Sequence, residues 1–178
     1  MNKALFLDRD GIINVDHGYV YQKENFEFVD GIFELCFEAS NKGFMLIVIT
    51  NQSGIGRGKY TVTQFKELTD WMKDKFAAKN IFIDDVYFCP HHPSKASGVY
   101  LTECGCRKPE PGLILKAAEK YDIDLKQSVF IGDKGSDMQA AAAAGINNRI
   151  LLASKYDDKT NIQAQCIDKI TQASSLIN

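Results

Sequence analysis

The chain has 178 residues, 45% apolar and 25% charged, which suits one well-buried domain and is unlike a disordered chain or two ordinary domains. Its 21 Lys and Arg against 23 Asp and Glu leave a charge of −2 with no basic run, arguing against nucleic acid as a partner and leaving any anionic ligand to a few placed cations. No stretch approaches the ~20 apolar residues that cross a bilayer, and the start MNKALFLDRDG reaches two aspartates before a secretory core forms, so the expectation is a cytoplasmic protein with no membrane partner.

The first apolar run, residues 4–7, ends abruptly in Asp8-Arg9-Asp10-Gly11. Continuous apolarity predicts a strand buried on both faces, as in a helix-covered parallel sheet. Residues 31–42 then read as a helix stopped by Gly43, and 44–49 as a second strand ending in Thr50-Asn51-Gln52-Ser53-Gly54. Thr61 with Gln64 three residues on predicts a capping box, after which Phe65, Leu68, Met72 and Phe76 recur at helical spacing. Strands follow at 86–88, before Cys89-Pro90, and at 129–131, before Gly132-Asp133. A helix carrying Leu113, Ile114, Ala117, Ala118 and Tyr121 lies between them. The alanine run 140–144 packs as a helix ending at Gly145, 148–152 is a further strand, and 162–177 reads as a terminal helix.

This alternation predicts one doubly wound sheet of five or six strands. Two intervals, 14–30 and 90–111, are long for connections but too small for a cap domain, and they suit walls around a site. Phe26, Phe28 and Trp71 read as packing for the first of these. The free-standing size of the domain and the absence of a coiled-coil repeat make a monomer the simplest expectation.

Four strand ends carry polar residues, where open α/β sheets place their chemistry. Asp8 and Asp10, two apart, share a side if extended geometry persists, and a hard divalent cation such as Mg²⁺ relieves their repulsion. Solvated turn residues are the plain alternative. Asp133 and Asp137 follow another strand. Thr50, Asn51 and Ser53 offer an anion-binding turn, or a simple Asn-Ser-Gly turn. Lys108 stands between a cysteine cluster and a helix start, able to neutralise a phosphoryl group or to remain a surface charge.

Taken in order, Asp8-Arg9-Asp10-Gly11, Thr50-Asn51-Gln52, Lys108 in Arg107-Lys108-Pro109, and Gly132-Asp133 with Asp137 resemble the haloacid-dehalogenase (HAD) superfamily of aspartate-nucleophile phosphatases. The resemblance implies a Rossmann-like three-layer α/β/α sandwich with a mostly parallel sheet and no large cap, in one domain over 1–178. It makes Asp8 the nucleophile and Asp10 the acid/base. Mg²⁺ would be bound by Asp8, Asp133 and the Asp10 carbonyl. Thr50, Asn51 and Lys108 would serve phosphate, and Asp137 would position the metal shell or Lys108.

Cys89-Pro90-His91 and Cys104-Gly105-Cys106 place four soft donors within 18 residues, enough for a closed tetrahedral Zn²⁺ site. Unrelated thiols are the alternative, and His92 competes with His91. The resemblance selects Cys89, His91, Cys104 and Cys106, as in a branch of small phosphatases acting on heptose bisphosphates, with zinc structural in the loop at about 89–109. Gly54-Ile55-Gly56-Arg57-Gly58 is neither a P-loop nor a dinucleotide fingerprint. Within the resembling branch it favours a phosphorylated heptose substrate over histidinol phosphate, with Arg57 and Arg107 on the phosphate that is not cleaved. The branch supplies heptose for bacterial surface polysaccharide, usually lipopolysaccharide. A broader phosphosugar phosphatase and a noncatalytic phosphosugar-binding or structural zinc domain are the competing expectations.

Overall fold

Side-chain alternation decides the layers. Along β1 (Lys3–Leu7), Leu5 and Leu7 enter one apolar core while Ala4 and Phe6 enter another. Residues along β2 (Phe44–Asn51) divide the same way, Leu46 and Val48 to the first core, Ile47 and Ile49 to the second. Strands buried on both faces need helices on both sides, and the sequence supplies them. In the computed structural model, which describes residues 1–156 and 163–178, α1 (Ile32–Asn41) and α3 (Val62–Ala77) cover the first face. The second is covered by α4 (Gly112–Tyr121) and α5 (Gly135–Ala144).

The remaining strands are β3 (Asp85–Cys89), β4 (Val129–Gly132), β5 (Asn148–Leu152) and β6 (Gln165–Ile167). The sheet is parallel in the order β3-β2-β1-β4-β5-β6. The chain therefore runs outward in one direction from β1 and returns to start outward again at β4. The carboxyl ends of β1 and β4 flank this reversal, the usual ligand crevice of an open α/β sheet. Register puts Leu7 beside both Val48 and Ile131, so Asp8, Thr50 and Asp133 emerge at one edge.

The expected α/β class, parallel sheet and lack of a large cap hold among the described residues. Thr61 and Gln64 form the reciprocal cap: the Gln64 amide N–H donates to Thr61 Oγ1 at 3.1 Å, and Thr61 N–H to Gln64 Oε1 at 2.9 Å. Interval 14–30 is pinned by an antiparallel bridge between Asn14 and Phe28, and Phe26 and Phe28 pack on Trp71 with ring centroids 5.5 and 5.9 Å away. The expected terminal helix over 162–177 is corrected. Position 162 lies outside the described residues, 165–167 form edge strand β6, and Ile170–Leu176 is a 3-10 helix. Pairing in register with Ile150, Leu151 and Leu152 is what makes 165–167 a strand. The glycine-rich segment begins within α2 (Ser53–Gly56), one turn of helix with Gly54, Ile55 and Gly56 buried.

Candidate active site

Lys108 ties the site together. It is 3% exposed, and its Nζ donates to Asp8 Oδ1 at 2.9 Å and to the Ile49 carbonyl at 2.8 Å, while pairing with Asp137 Oδ1 at 2.7 Å. Two hydrogen bonds and one ion pair thus surround the ammonium. Burial pushes Lys108 down, but Asp137 and then Asp8 outweigh it and hold the amine above its ordinary value. Its backbone is clasped by Asn51, whose Oδ1 accepts from Lys108 N–H at 3.0 Å and whose Nδ2 donates to the Lys108 carbonyl at 3.2 Å. Asn51 thus faces a segment 57 positions away and fixes where the lysine stands.

Asp8, Asp133 and Asp137 are buried together, each offering an oxygen within 4.8 Å of the others. Burial raises Asp133 to about 8, with Asp8 and Asp137 adding to the rise. Burial likewise raises Asp8 to about 6, against the pull of Lys108. Asp133 Oδ1 is buried without a hydrogen-bond partner among the described residues. An unpartnered buried carboxylate oxygen in an acidic cluster fits a hard divalent cation. Gly11 permits the close approach: it sits at φ +96°, and a Cβ there would overlap the Asp133 carboxylate. Asp137 is occupied otherwise. Its Oδ2 accepts from the N–H of Asp133 and of Lys134, both at 3.1 Å, and its Oδ1 meets Lys108.

Asp10 belongs to a separate network. Strand β1 ends at Leu7, so extended geometry does not carry through to align its carboxylate with that of Asp8. Its Oδ1 accepts from Arg9 at 2.8 Å and Asn14 at 3.1 Å, and its Oδ2 from Gln52 at 3.0 Å. Burial pushes the Asp10 carboxyl up, yet the Arg9 charge and the three donors outweigh it and leave it below the usual range. Thr50, fully buried, accepts from Gln52 at 2.8 Å.

A cavity of about 310 Å³ opens over this network, lined by Asp10, Gln52, Ser53, Arg57, Lys134 and Tyr156 among others. Its size suits a small molecule. Arg57 Nε is buried and unpartnered among the described residues. Arg107 is not part of that wall; its guanidinium reaches the His91 carbonyl at 3.4 Å. Burial, then the charges of Arg107 and Arg57, hold His92 below its ordinary value. In the first loop, Asp16 and Tyr19 also line the cavity, whereas His17 pairs with Glu27.

Cys89, His91, Cys104 and Cys106 converge with donor atoms within 4.8 Å of one another. His91 Nδ1 lies 3.6 Å from Cys89 Sγ and 3.2 Å from Cys106 Sγ. His92 Nδ1 instead accepts from the Ser94 and Lys95 N–H groups, at 3.1 and 3.0 Å, which takes it out of the competition. Arg9, Gln52, Tyr60, Lys134 and Tyr156 line the cavity without an assigned role in the sequence reading. The first two lie inside the quoted motifs, and an arginine between two aspartates at a strand end was the available signal.

The HAD-hydrolase-like family model matches residues 105–172. The D-glycero-beta-D-manno-heptose-1,7-bisphosphate 7-phosphatase of Escherichia coli O6:H1 is 50% identical over 149 residues, 84% of this chain and 78% of that protein. The D-glycero-alpha-D-manno-heptose-1,7-bisphosphate 7-phosphatase of Burkholderia mallei is 51% identical over 166 residues, 93% and 88% of the two chains. The structure of D,D-heptose 1,7-bisphosphate phosphatase from B. bronchiseptica, complexed with magnesium and phosphate, superposes with a TM-score of 0.85 at 27% identity, covering 97% of this chain and 96% of that one. Matches of this length and identity place the chain in the haloacid-dehalogenase superfamily, in the family of the heptose-1,7-bisphosphate 7-phosphatases.

Proposed function

We propose that the protein hydrolyses the C7 phosphate of D-glycero-D-manno-heptose 1,7-bisphosphate through an aspartyl-phosphate, leaving the 1-phosphate. The observation that carries the chemistry is the buried Lys108 bridge between Asp8 and Asp137, beside an Asp10 carboxylate held apart from it. One carboxylate is thereby kept for attack and the other for proton transfer. Relatives of half-identical sequence carry the substrate assignment.

In the first step an Asp8 oxygen attacks phosphorus and the ester P–O bond breaks. The electron pair passes to the C7 oxygen, which takes the proton of Asp10. Asp10 rests ionised, and the negative charge of an arriving phosphate raises its carboxyl toward the protonated form. In the second step Asp10 accepts a proton from water as that water attacks phosphorus, and the bond to Asp8 breaks, releasing inorganic phosphate. Thr50 and Lys108 hold the phosphoryl oxygens, Asn51 keeps Lys108 in place, and Asp137 shares that task. Asp8, Asp133 and the Asp10 carbonyl would hold Mg²⁺, which when bound would supply positive charge to the transferring group. Arg57 and Arg107 receive the phosphate that is not cleaved. Cys89, His91, Cys104 and Cys106 would hold a structural Zn²⁺, because four protein ligands would leave no open position. The product would feed heptose into surface polysaccharide in the cytoplasm.

Comparison of kcat/KM for both anomers of heptose 1,7-bisphosphate with histidinol phosphate tests the reading. The expected result is a clear preference for a bisphosphate; preference for histidinol phosphate would move the chain to the neighbouring activity.

A further inference from the structure

The acid/base carboxylate is held unequally at its two oxygens. Asp10 Oδ1 accepts from Arg9 and Asn14, while Oδ2 has Gln52 as its one partner among the described residues. Oδ2 is thus the oxygen left free to carry a proton to substrate, and Gln52 alone aims it. Gln52 is itself 2% exposed, and its Nε2 spans Asp10 Oδ2 and Thr50 Oγ1. An amide can do this only with its nitrogen facing the carboxylate, since a flipped carbonyl would meet another acceptor. The far end of the amide fixes that choice: the Tyr60 hydroxyl donates to Gln52 Oε1.

Tyr60 is rigidly placed for the purpose. It is 6% exposed, packs with Ile55 and Phe65, and stacks on Tyr21 at a centroid distance of 5.3 Å and an interplanar angle of 10°. Gly54 in α2 is part of the same fit, because a Cβ there would overlap the Tyr60 ring. Buried hydrogen-bonded chains of this kind lose more than one bond when a member is removed.

We propose that Tyr60 is a positioning residue which, through Gln52, aims Oδ2 of Asp10 at the leaving oxygen. The proposal rests on the assignment of Asp10 as the acid, and the test separates the two. A sugar alkoxide needs a proton to depart, whereas the phenolate of p-nitrophenyl phosphate does not. With kcat/KM measured on heptose 1,7-bisphosphate and on p-nitrophenyl phosphate, Asp10→Asn should lose far more on the sugar. Tyr60→Phe, which keeps the ring, should lose about 10-fold on the sugar and no more than about 2-fold on the aryl ester, the scale of one buried hydrogen bond. Gln52→Met should show the same selectivity, and the double variant should lose no more than Gln52→Met alone.

Equal proportional losses on both substrates for Tyr60→Phe, or additive losses in the double variant, overturn the proposal while leaving the Asp10 assignment intact. An Asp10→Asn protein that loses equally on both substrates removes the assignment and the proposal together. If Tyr60→Phe melts well below the parent protein, Gln52→Met decides: selective loss supports the positioning chain and uniform loss overturns it.

Discussion

Two clusters of side chains that could hold a metal ion sit at the carboxyl edge of the same sheet, built on opposite plans. Asp8 and Asp133 follow strands far apart in sequence and Asp137 lies in the first turn of α5; all three are buried and repel one another. Cys89, His91, Cys104 and Cys106 come from one strand end and the loop after it. The first cluster is positioned by the fold and strained by its own charge. The second organises the loop that contains it. Lys108 is where they meet, two residues beyond Cys106 and bonded to Asp8. The difference teaches that the chemical centre depends on the sheet for its carboxylates and on the soft-donor loop for its cation.

Removing the nucleophile tests the first cluster most severely. Asp8→Asn keeps the shape of the side chain but offers no carboxylate, so turnover should fall by about 10⁴-fold or more. Phosphate release from folded, Mg²⁺-loaded variant checks it, and undiminished multiple turnover would falsify the nucleophile assignment.

Breaking the second cluster should cost less, and by another route. Cys106→Ser should lose zinc and lower kcat/KM by about 10²-fold, because displacement of a positioning group by ~1 Å has effects of that size. Zinc content, thermal melting and activity measured on one preparation connect the three. A zinc-free variant with full activity would show that the loop holds Lys108 unaided.

A smaller effect belongs to the cavity wall between the clusters. Arg57→Ala should reduce kcat/KM for the bisphosphate by roughly 10-fold more than for a heptose monophosphate lacking the remote group, the worth of a charged hydrogen bond. Equal losses on both substrates would reassign Arg57 to loop support.

The mildest test uses charge alone. Because the folded protein raises Asp133 to about 8 and Asp8 to about 6, it binds more protons than the unfolded chain from about pH 4 upward. Metal-free stability should therefore fall as pH rises from 4 to 8. Mg²⁺ at about 100 times its Kd should restore ~5 °C or more of melting temperature at pH 8, and less at pH 5, where protons compete. Melting curves at the two pH values with and without Mg²⁺ check the sign. Protection greater at pH 5 would contradict the buried-charge picture.

The soft-donor set was legible because its members are neighbours in sequence; spacing left His91 and His92 in competition, and the geometry agrees with the family resemblance in bringing His91 to the cysteines. Two backbone N–H groups, of Ser94 and Lys95, reach the His92 ring instead. The contact of the Arg107 guanidinium with the His91 carbonyl is one that no spacing rule encodes. The terminal segment failed as a helix because a three-residue edge strand is too short to declare its period.

By itself the sequence determined the parallel sheet, its helices and the strand-end acids, because burial on two faces writes continuous apolar runs and polar punctuation into the chain. Only the tertiary structure decided what those polar residues hold. Asn51 clasps Lys108 across 57 positions, and Gln52 spans Asp10 and Thr50 under the Tyr60 hydroxyl. The reason is directional: a hydrogen bond needs donor and acceptor about 3 Å apart and aligned. Hydrophobic patterning fixes which face a residue occupies, but not which distant atom its amide will meet.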